Sequence, residues 1–367
     1  MSAPDVARRL LFALLAGGAL VGLVQTTYGP AFPAFEARYG VAPGVLGLVV
    51  GAHFLGNLLA TAAAPALLSR LGFARALPAG PLLMAAGAVG IALAPGFGAL
   101  VLAAGVVGLG FGLANTTQLV LTGVAFAERR FWAFNLESAA FGLGSMLGPW
   151  LVGGLGGVAA PFLVVALLAL SVAAVLRRVP ALPEPPRERG SGGRLPLGFM
   201  GLFFLYVGLE ASAGHWGAYH LDAVGELGAF WIGLYWGFQT LGRFLLAPFT
   251  RRISEAASFR AALLVAAAVF LVLPRLTAPG LGYALAGFAL APAFPAAMAW
   301  AQGVHGPGGR ATAWLLIAAA LGGAVFPPLL GVLVEGFGPR AVPLGLFVLA
   351  LSVFFYALRI RSLGSRP

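Results

Sequence analysis

Apolar residues occur along the whole chain in long runs that short polar or charged turns separate. Each run is about 20 residues long, which is the length at which a helix crosses a hydrocarbon core about 30 Å thick. The pattern predicts an all-α integral membrane protein with twelve transmembrane helices. The predicted helices are 8 to 33, 43 to 69, 74 to 94, 97 to 123, 131 to 156, 158 to 177, 196 to 221, 227 to 249, 257 to 274, 279 to 302, 309 to 334 and 341 to 360.

The charged residues are few, and their positions indicate topology. Of 367 residues, 60% are hydrophobic and only 9% are charged, whereas soluble domains carry about 25% charged residues. All 22 basic residues are arginine. Eighteen arginines fall on one side of the predicted helices, three fall on the other (Arg38, Arg275 and Arg340), and Arg243 lies inside a helix.

This distribution predicts that both termini are cytoplasmic, because basic residues accumulate in cytoplasmic loops. The net charge of +11 therefore does not indicate a nucleic-acid partner. The first apolar run lacks a small-residue cleavage site, so we expect it to be retained as a helix. The lysine-free, Ala-, Gly- and Arg-rich composition is typical of a GC-rich bacterium, and the predicted location is the bacterial inner membrane.

One long polar segment interrupts the helical pattern. The segment "RRVPALPEPPRERGSGGRLP", 177 to 196, is rich in Pro, Gly and charge and cannot bury enough apolar surface to fold. We interpret it as a cytoplasmic linker. The predicted organisation is a six-helix bundle at 1–177, a linker at 178–195 and a second six-helix bundle at 196–367.

Small residues recur three or four residues apart in several predicted helices. The chain contains 54 glycines, and Gly105, Gly108 and Gly112, or Gly144 and Gly148, illustrate the spacing. Small residues allow helices to approach closely in lipid. We expect these glycines to mark helix contacts.

Six helices, a long cytoplasmic loop and six more helices resemble the major facilitator superfamily. Its members carry a signature near G-x-L-A-D-R-x-G-R-R after the second helix. Here "PALLSRLGFAR", 65 to 75, keeps Arg70, Gly72 and Arg75 of the signature. The eighth helix keeps its Gly-Arg pair as Gly242 and Arg243. The resemblance implies that Arg70, Arg75 and Arg243 serve the inward gate. Ser69 and Thr250 stand where the signature has acids, so a simple positive-inside cluster is an equal alternative.

Three stretches resemble the fucose:proton symporter family within that superfamily. "FLYVGLEASAGHWGAYHL", 205 to 222, is similar to its seventh helix, with a Y-V-G-x-E pattern. "FNLESAAFGLGSMLGP", 134 to 149, is similar to its fifth helix, with Glu137 close to a histidine position. "GFALAPAFPAAMAWAQ" and "GRATAWLLIAAALGGAVFPPLLGVLVEGFG" are similar to its tenth and eleventh helices. The resemblance implies proton-coupled sugar uptake.

The fourth helix departs from that family. Relatives carry an acid after G-x-G-x-G, whereas "GLGFGLANTTQ", 108 to 118, offers Asn115 and Gln118. If the fourth helix normally supplies the proton carrier, this protein has moved or lost it.

Two glutamates, Glu137 and Glu210, are the acids well inside the predicted helices. Each costs about 3 kcal/mol at mid-membrane on the insertion scale. Such residues face a partner or a watery cavity, and a glutamate in a cavity that is alternately wet and dry can bind and release a proton. We expect Glu137 and Glu210 to be proton-coupling residues. The alternative is a structural acid tied to Arg243 or to a histidine.

Neutral side chains within the helices are candidates for holding a substrate. Amides both donate and accept hydrogen bonds, and indole faces stack on sugar rings. This assortment suits a polyol better than a fixed ion. The predicted substrate-binding residues are Gln25, Tyr28, Asn57, Asn115, Gln118, Asn135, Trp216, Trp236, Gln239 and Gln302. Each amide alone is more often an interhelical hydrogen bond, and Tyr28 and Trp216 are equally typical of an interfacial belt.

No motif of catalytic chemistry emerges from the sequence. Zero cysteines exclude disulfides and thiolate chemistry. His53 and His215 are candidates for proton relay or for structural hydrogen bonds, and no metal-ligand spacing, phosphate loop or HExxH motif occurs. We expect no enzyme activity, no cofactor and no metal.

The predicted function is secondary active transport of a small-molecule substrate, with protons or Na⁺ as the coupling ion, by a monomer in the lipid bilayer. Proton-coupled uptake of a sugar is the first interpretation. The alternatives are a proton-driven exporter of amphipathic molecules and, from another class, a membrane-embedded enzyme or a scaffold that transports nothing.

Overall fold

The structure, a computed structural model, describes residues 3–179, 196–250, 253–305 and 309–364. Within these ranges nearly all of the backbone is helical, since apolar segments in lipid satisfy their backbone groups internally by forming helices. The helices are α1 (Ala3–Thr26), α2 (Tyr28–Tyr39), α3 (Pro43–Ala92), α4 (Phe97–Ala125), α5 (Arg130–Leu155), α6 (Ala159–Arg177), α7 (Leu197–Ala223), α8 (Gly228–Thr250), α9 (Glu255–Val272), α10 (Pro279–Leu290), α11 (Ala293–His305), α12 (Gly309–Phe337) and α13 (Val342–Gly364).

The helices account for all twelve predicted spans. Ten helical stretches in the described residues are long and apolar enough to cross a membrane. One of them, α3, contains the second and third predicted spans, and α10 with α11 forms a single stretch. The remaining predicted span is α8, which carries Gln239, Thr240 and Arg243 among its apolar residues. The all-α, twelve-helix fold class is confirmed.

The first predicted helix, 8 to 33, is wrong in its bounds. The structure breaks it at Thr27 and continues as α2 to Tyr39. Hydroxyls compete for the carbonyls before the break: Thr26 Oγ1 donates to the carbonyl of Leu23 (3.2 Å) and Thr27 Oγ1 to that of Val24 (2.9 Å). Pro30 lacks the N–H that would bond the carbonyl of Thr26, so the chain restarts as a separate helix.

The tenth predicted helix, 279 to 302, is likewise divided into α10 and α11. Pro292 has no N–H with which to bond the carbonyl of Phe288. The backbone N–H of Ala291, three residues after Phe288, donates to that carbonyl instead, at 3.2 Å. The helix therefore tightens and restarts at Ala293.

Gly72 separates the two halves of α3. Its φ of 67° and ψ of 170° interrupt an otherwise continuous helix, and glycine adopts this left-handed φ without a Cβ clash. Phe73 is buried next to it in a cluster with Leu10 and Leu14 of α1. Two of the three arginines of the predicted gate, Arg70 and Arg75, are exposed on either side of Gly72.

The contacts of the chain divide it into two compact units. Unit 1 comprises Met1–Val41 and Ala52–Arg189, and unit 2 comprises Ala42–Gly51 and Gly190–Pro367. The first turns of α3 thus group with unit 2, which chain order does not indicate. Residues 180–195 of the predicted linker lie outside the described residues, and the predicted bundle bounds of 1–177 and 196–367 stay a prediction.

Glycines form the helix contacts within each unit, as predicted. In unit 1, a Cβ on Gly144 of α5 would overlap the carbonyl of Ala19 on α1, and a Cβ on Gly108 of α4 would overlap the carbonyl of His53. In unit 2, a Cβ on Gly322 of α12 would overlap the carbonyl of Phe204 on α7. Gly105 differs, because its Cβ would lie at an ordinary 3.7 Å from the carbonyl of Ala52.

Candidate functional site

Unit 2 holds a hydrogen-bonded polar cluster around Glu210. The carboxylate oxygen Oε1 of Glu210 accepts from the Tyr206 hydroxyl at 2.8 Å and from Nε2 of Gln239 at 2.6 Å. Tyr206 lies one turn before Glu210 on α7, and Gln239 reaches across from α8. Glu210 is 8% exposed and Gln239 is 2% exposed. Two of the predicted site residues, Glu210 and Gln239, are thus in direct contact.

Arg243 lies at the far side of Gln239 from Glu210. Its Nη2 donates to Oε1 of Gln239 at 3.5 Å, a long hydrogen bond. The guanidinium also interacts electrostatically with Tyr206 and with Tyr235. Within the described parts of the chain Glu210 has no ion pair with Arg243, and Nε of Arg243 is buried without a hydrogen-bond partner. A direct Glu210–Arg243 salt bridge, one form of the structural alternative, is therefore not formed.

Tyr235 and Trp236 extend this cluster along α8. Trp236 is 3% exposed and Tyr235 is fully buried. Neither the indole Nε1 of Trp236 nor the hydroxyl of Tyr235 has a partner among the described residues. Gly214 of α7 leaves room for the indole, since a Cβ there would lie 2.6 Å from its Cζ2 atom.

Two other predicted residues of unit 2 lie apart from this cluster. Trp216 is fully buried and donates its Nε1 hydrogen to the carbonyl of Pro327 on α12 at 2.8 Å. Gln302 is half-buried on α11. His215 bonds the carbonyl of Ala211, one turn earlier, through Nδ1 at 2.6 Å, which is a structural use of the ring.

Unit 1 holds the second embedded carboxylate, Glu137 on α5. Its Cγ lies close to Gly18 of α1, and the carboxamide of Gln118 on α4 packs directly on Gly17. The Thr122 hydroxyl faces the Glu137 carboxylate without forming a hydrogen bond of good geometry to it. Oε1 of Glu137, Oγ1 of Thr122 and Nε2 of Gln118 all lack a hydrogen-bond partner among the described residues.

The Asn57 side chain belongs to a separate hydrogen-bond chain in unit 1. Oδ1 of Asn57 accepts from the Thr61 hydroxyl at 3.1 Å, and Thr61 accepts from Thr116 at 3.4 Å. Asn115, the neighbour of Thr116, is half-buried. This arrangement is the interhelical hydrogen bonding that single amides most often provide.

The remaining predicted residues of unit 1 differ in burial and in their contacts. Tyr28 is fully buried and its hydroxyl lies 3.0 Å from Nδ1 of His53. Gln25 is half-buried, and Asn135 is exposed on α5. The interfacial-belt alternative is wrong for Tyr28 and for Trp216, because neither side chain is exposed.

Sequence reasoning missed Thr122 and Tyr235 as members of these clusters. Their spacing carried a signal, because residues four apart lie on one helix face. Thr122 follows Gln118 by four residues, and Tyr235 precedes Gln239 by four. A search for polar residues at that spacing from each candidate amide would have found both.

Each unit therefore presents one embedded carboxylate with neutral hydrogen-bonding neighbours. The unit 1 cluster offers unpartnered donors and acceptors that fit hydroxyl groups. The unit 2 cluster adds a cation. Both arrangements consist of groups that donate and accept hydrogen bonds.

Comparisons with known proteins agree with the helical architecture. A family model described as Major Facilitator Superfamily matches residues 14–313. No curated protein sequence matches the chain. Among solved structures, the chain is similar to a point mutant of the nucleoside transporter NupG, with a TM-score of 0.80 and 12% identity, over 97% of this chain and 99% of that chain. It is also similar to the xylose transporter XylE from E. coli in a partially occluded inward open conformation, with a TM-score of 0.78 and 14% identity, over 97% and 98% of the two chains.

Proposed function

Because the chain belongs to the Major Facilitator Superfamily, and is thus a transporter rather than an enzyme, we propose that it couples the uptake of a sugar or similar small polar solute to protons by alternating access. The observation that carries this proposal is the unit 1 cluster of Glu137, Gln118 and Thr122. An embedded carboxylate with an unpartnered oxygen has to be neutralised by a proton or to meet a donor from a solute. In this proposal Glu137 does both in turn.

The neighbours of Glu137 favour a hydroxylated solute. Nε2 of Gln118 and the Thr122 hydroxyl have hydrogen-bonding capacity that no described residue uses, and a polyol both donates and accepts. The similarity to NupG and XylE, whose names give a nucleoside and xylose, supports the same solute class, as does the resemblance to fucose:proton symporters. Asn57, Asn115, Gln25, Asn135 and Gln302 stay predicted contacts.

The coupling ion and the topology belong to the same proposal. We propose that Glu137 and Glu210 carry protons and that both termini lie in the cytoplasm of a bacterium. The exposed arginines Arg70 and Arg75 would serve the inward gate, and the gate role of Arg243 stays a prediction. The arginine distribution supports the orientation. We further propose that the protein is a monomer in the inner membrane and that the linker joins its two helix bundles.

Transport in proteoliposomes tests the proposal. Purified protein is reconstituted with a pH-sensitive dye inside the vesicles, and an inward proton gradient is imposed with radiolabelled hexoses, pentoses, nucleosides and sugar acids outside. We expect at least one solute to accumulate against its gradient while the lumen acidifies faster than in protein-free vesicles. Replacing Na⁺ by choline is expected to change nothing.

Two outcomes would contradict the proposal. Accumulation that depends on Na⁺ and moves no proton would replace the coupling ion. Proton movement evoked only by lipophilic cations, with no accumulation of any sugar, would favour the exporter.

A further inference from the structure

Arg243 is a cation in a membrane-embedded helix, and it has no direct anionic partner among the described residues. Its described hydrogen bond is the long one to Gln239, and its Nε is buried and unpartnered. Buried guanidinium groups are normally paired with a carboxylate or phosphate, and the planar fork of arginine matches such groups with two parallel hydrogen bonds. The free edge of Arg243 is thus suited to an anion that none of the described residues supplies.

Gln239 connects this cation to the carboxylate of Glu210. Its Nε2 donates to Glu210 and its Oε1 accepts from Arg243, so the two charges orient the carboxamide between them. Among the described residues, the other ionisable groups that face the cluster are Tyr206 on α7, Tyr235 on α8 and, beside Tyr235, Tyr283 on α10. All three are neutral phenols near neutral pH. The charge of the cluster is therefore set by Glu210 and Arg243.

Charge balance then selects the ligand. With Glu210 ionised, the cluster is neutral and does not favour a further anion. With Glu210 protonated, the charge of Arg243 is uncompensated and a monoanion restores neutrality. States with an unbalanced charge in a low-dielectric site are disfavoured. A proton and a monoanion are thus expected to enter and leave this site together.

Two further donors lie along α8 from Arg243. Trp236 Nε1 and the Tyr235 hydroxyl are buried without partners, and Trp236 and Arg243 share a helix face because they are seven residues, about two turns, apart. Indole faces also stack on sugar rings. A ligand that spans this face would carry an anionic group at one end and a hydroxylated ring at the other.

We infer that the Glu210–Gln239–Arg243 cluster binds the carboxylate of a hydroxylated monocarboxylic acid, such as a hexuronate, with Arg243 as its ion-pair partner. The inference rests on the proposed transport of a polar solute and names its class. A monocarboxylate fits better than a phosphate ester, because one arginine balances a single negative charge. Sugar phosphates are nonetheless included in the test.

Substrate counterflow tests this inference without any ion gradient. Proteoliposomes are loaded with unlabelled galacturonate, galactose, glucuronate, glucose or glucose 6-phosphate, and entry of the corresponding labelled compound is followed. We expect the acids to exchange faster than the neutral sugars of the same stereochemistry. In Arg243→Gln, we expect exchange of the acids to fall about tenfold or more, as for loss of a buried charge partner. Arg243→Lys should retain part of that exchange, since it keeps the charge but not the fork.

Arg260→Gln is the matched control in the same unit. Arg260 donates to the carbonyl of Ala357 at 3.0 Å and packs over the Trp300 ring, so its loss should leave the acid-to-neutral ratio unchanged. Glu210→Gln imitates the protonated acid and is expected to raise the apparent affinity for the hexuronates several-fold. Melting temperatures in detergent identify any variant that merely misfolds.

Several outcomes would overturn the inference. These are exchange of the neutral sugars only, exchange of none of the five compounds, preference for the phosphate, or an unchanged ratio in Arg243→Gln. Each is distinguishable from failure of proton coupling, because counterflow needs no proton gradient. Conversely, hexuronate exchange without solute-driven acidification would support the anion site but would reject both proton-coupled uptake and the joint entry of a proton and the anion.

Discussion

Proteoliposomes that contain the Glu137→Gln variant are expected to exchange solute across the membrane but not to concentrate it. Glutamine keeps the shape and the hydrogen-bonding capacity of the side chain beside Gln118 and Thr122, but it cannot carry a proton at physiological pH. Binding therefore survives while the link to the proton gradient is lost. The expected pattern separates coupling from binding in a single substitution.

The size of the effect follows from the gradient applied. A difference of about one pH unit supplies about 1.4 kcal/mol per proton, which corresponds to an about tenfold accumulation. The wild-type protein is expected to approach that ratio, and Glu137→Gln to remain near equal concentrations on both sides. Uptake of the labelled solute at steady state and counterflow are measured on the same vesicles.

Glu128→Gln is the matched control for this experiment. Glu128 is an exposed acid in the short 3₁₀ turn Ala127–Arg129 before α5, so the same chemical change should leave accumulation intact. Accumulation by Glu137→Gln at the wild-type ratio would show that the proton is carried elsewhere. Glu210, the other embedded acid, would then be the first residue to test in the same way.

Gly144→Ala is expected to destabilise the protein severely, although it adds a single methyl group. A Cβ at this position would overlap the backbone carbonyl of Ala19 on α1, and a backbone atom cannot rotate away as a side chain does. The α1 and α5 helices must separate, which loses close packing along both and costs about 3 kcal/mol or more. The measurement is the melting temperature of purified protein in detergent, together with the monodisperse yield.

Gly154→Ala provides the comparison on the same helix. Gly154 is exposed, and a Cβ there would meet no atom within 4 Å. Its melting temperature should equal or slightly exceed that of the wild type, since alanine is a better helix former by about 1 kcal/mol. Equal stability of the two variants would mean that α1 and α5 do not approach as closely as the structure places them.

Much of the fold follows from the sequence, and the exceptions have local causes. Apolar runs of membrane-crossing length fix the number and order of the spans. The hydropathy pattern does not predict the breaks between α1 and α2 and between α10 and α11, because apolar residues continue across them. Thr26, Thr27 and Pro292 contained the information, as hydroxyls and a missing N–H act on backbone hydrogen bonds rather than on hydropathy.

The site is predictable along each helix but not across helices. The spacing of Tyr206 and Glu210, or of Gln239 and Arg243, already places each pair on one face. That Gln239 meets Glu210 depends on the rotation and depth of α7 and α8, which no single-sequence pattern specifies. For the same reason the sequence predicts Trp216 as a substrate-binding residue, whereas in the structure its N–H donates a hydrogen bond to the carbonyl of Pro327.

The burial of α7 affects how the protein tolerates mutation. Most helices here show exposed positions alternating with buried ones, whereas α7 is buried at every residue from Tyr206 to Leu221. A helix with one lipid-facing side tolerates substitutions on that side, so the tolerated positions recur about once per helical turn. In a saturation scan α7 should instead appear as a continuous intolerant band across its central turns, and Glu210 would not stand out there by intolerance alone. Its function has to be identified by transport assays rather than by mutational sensitivity.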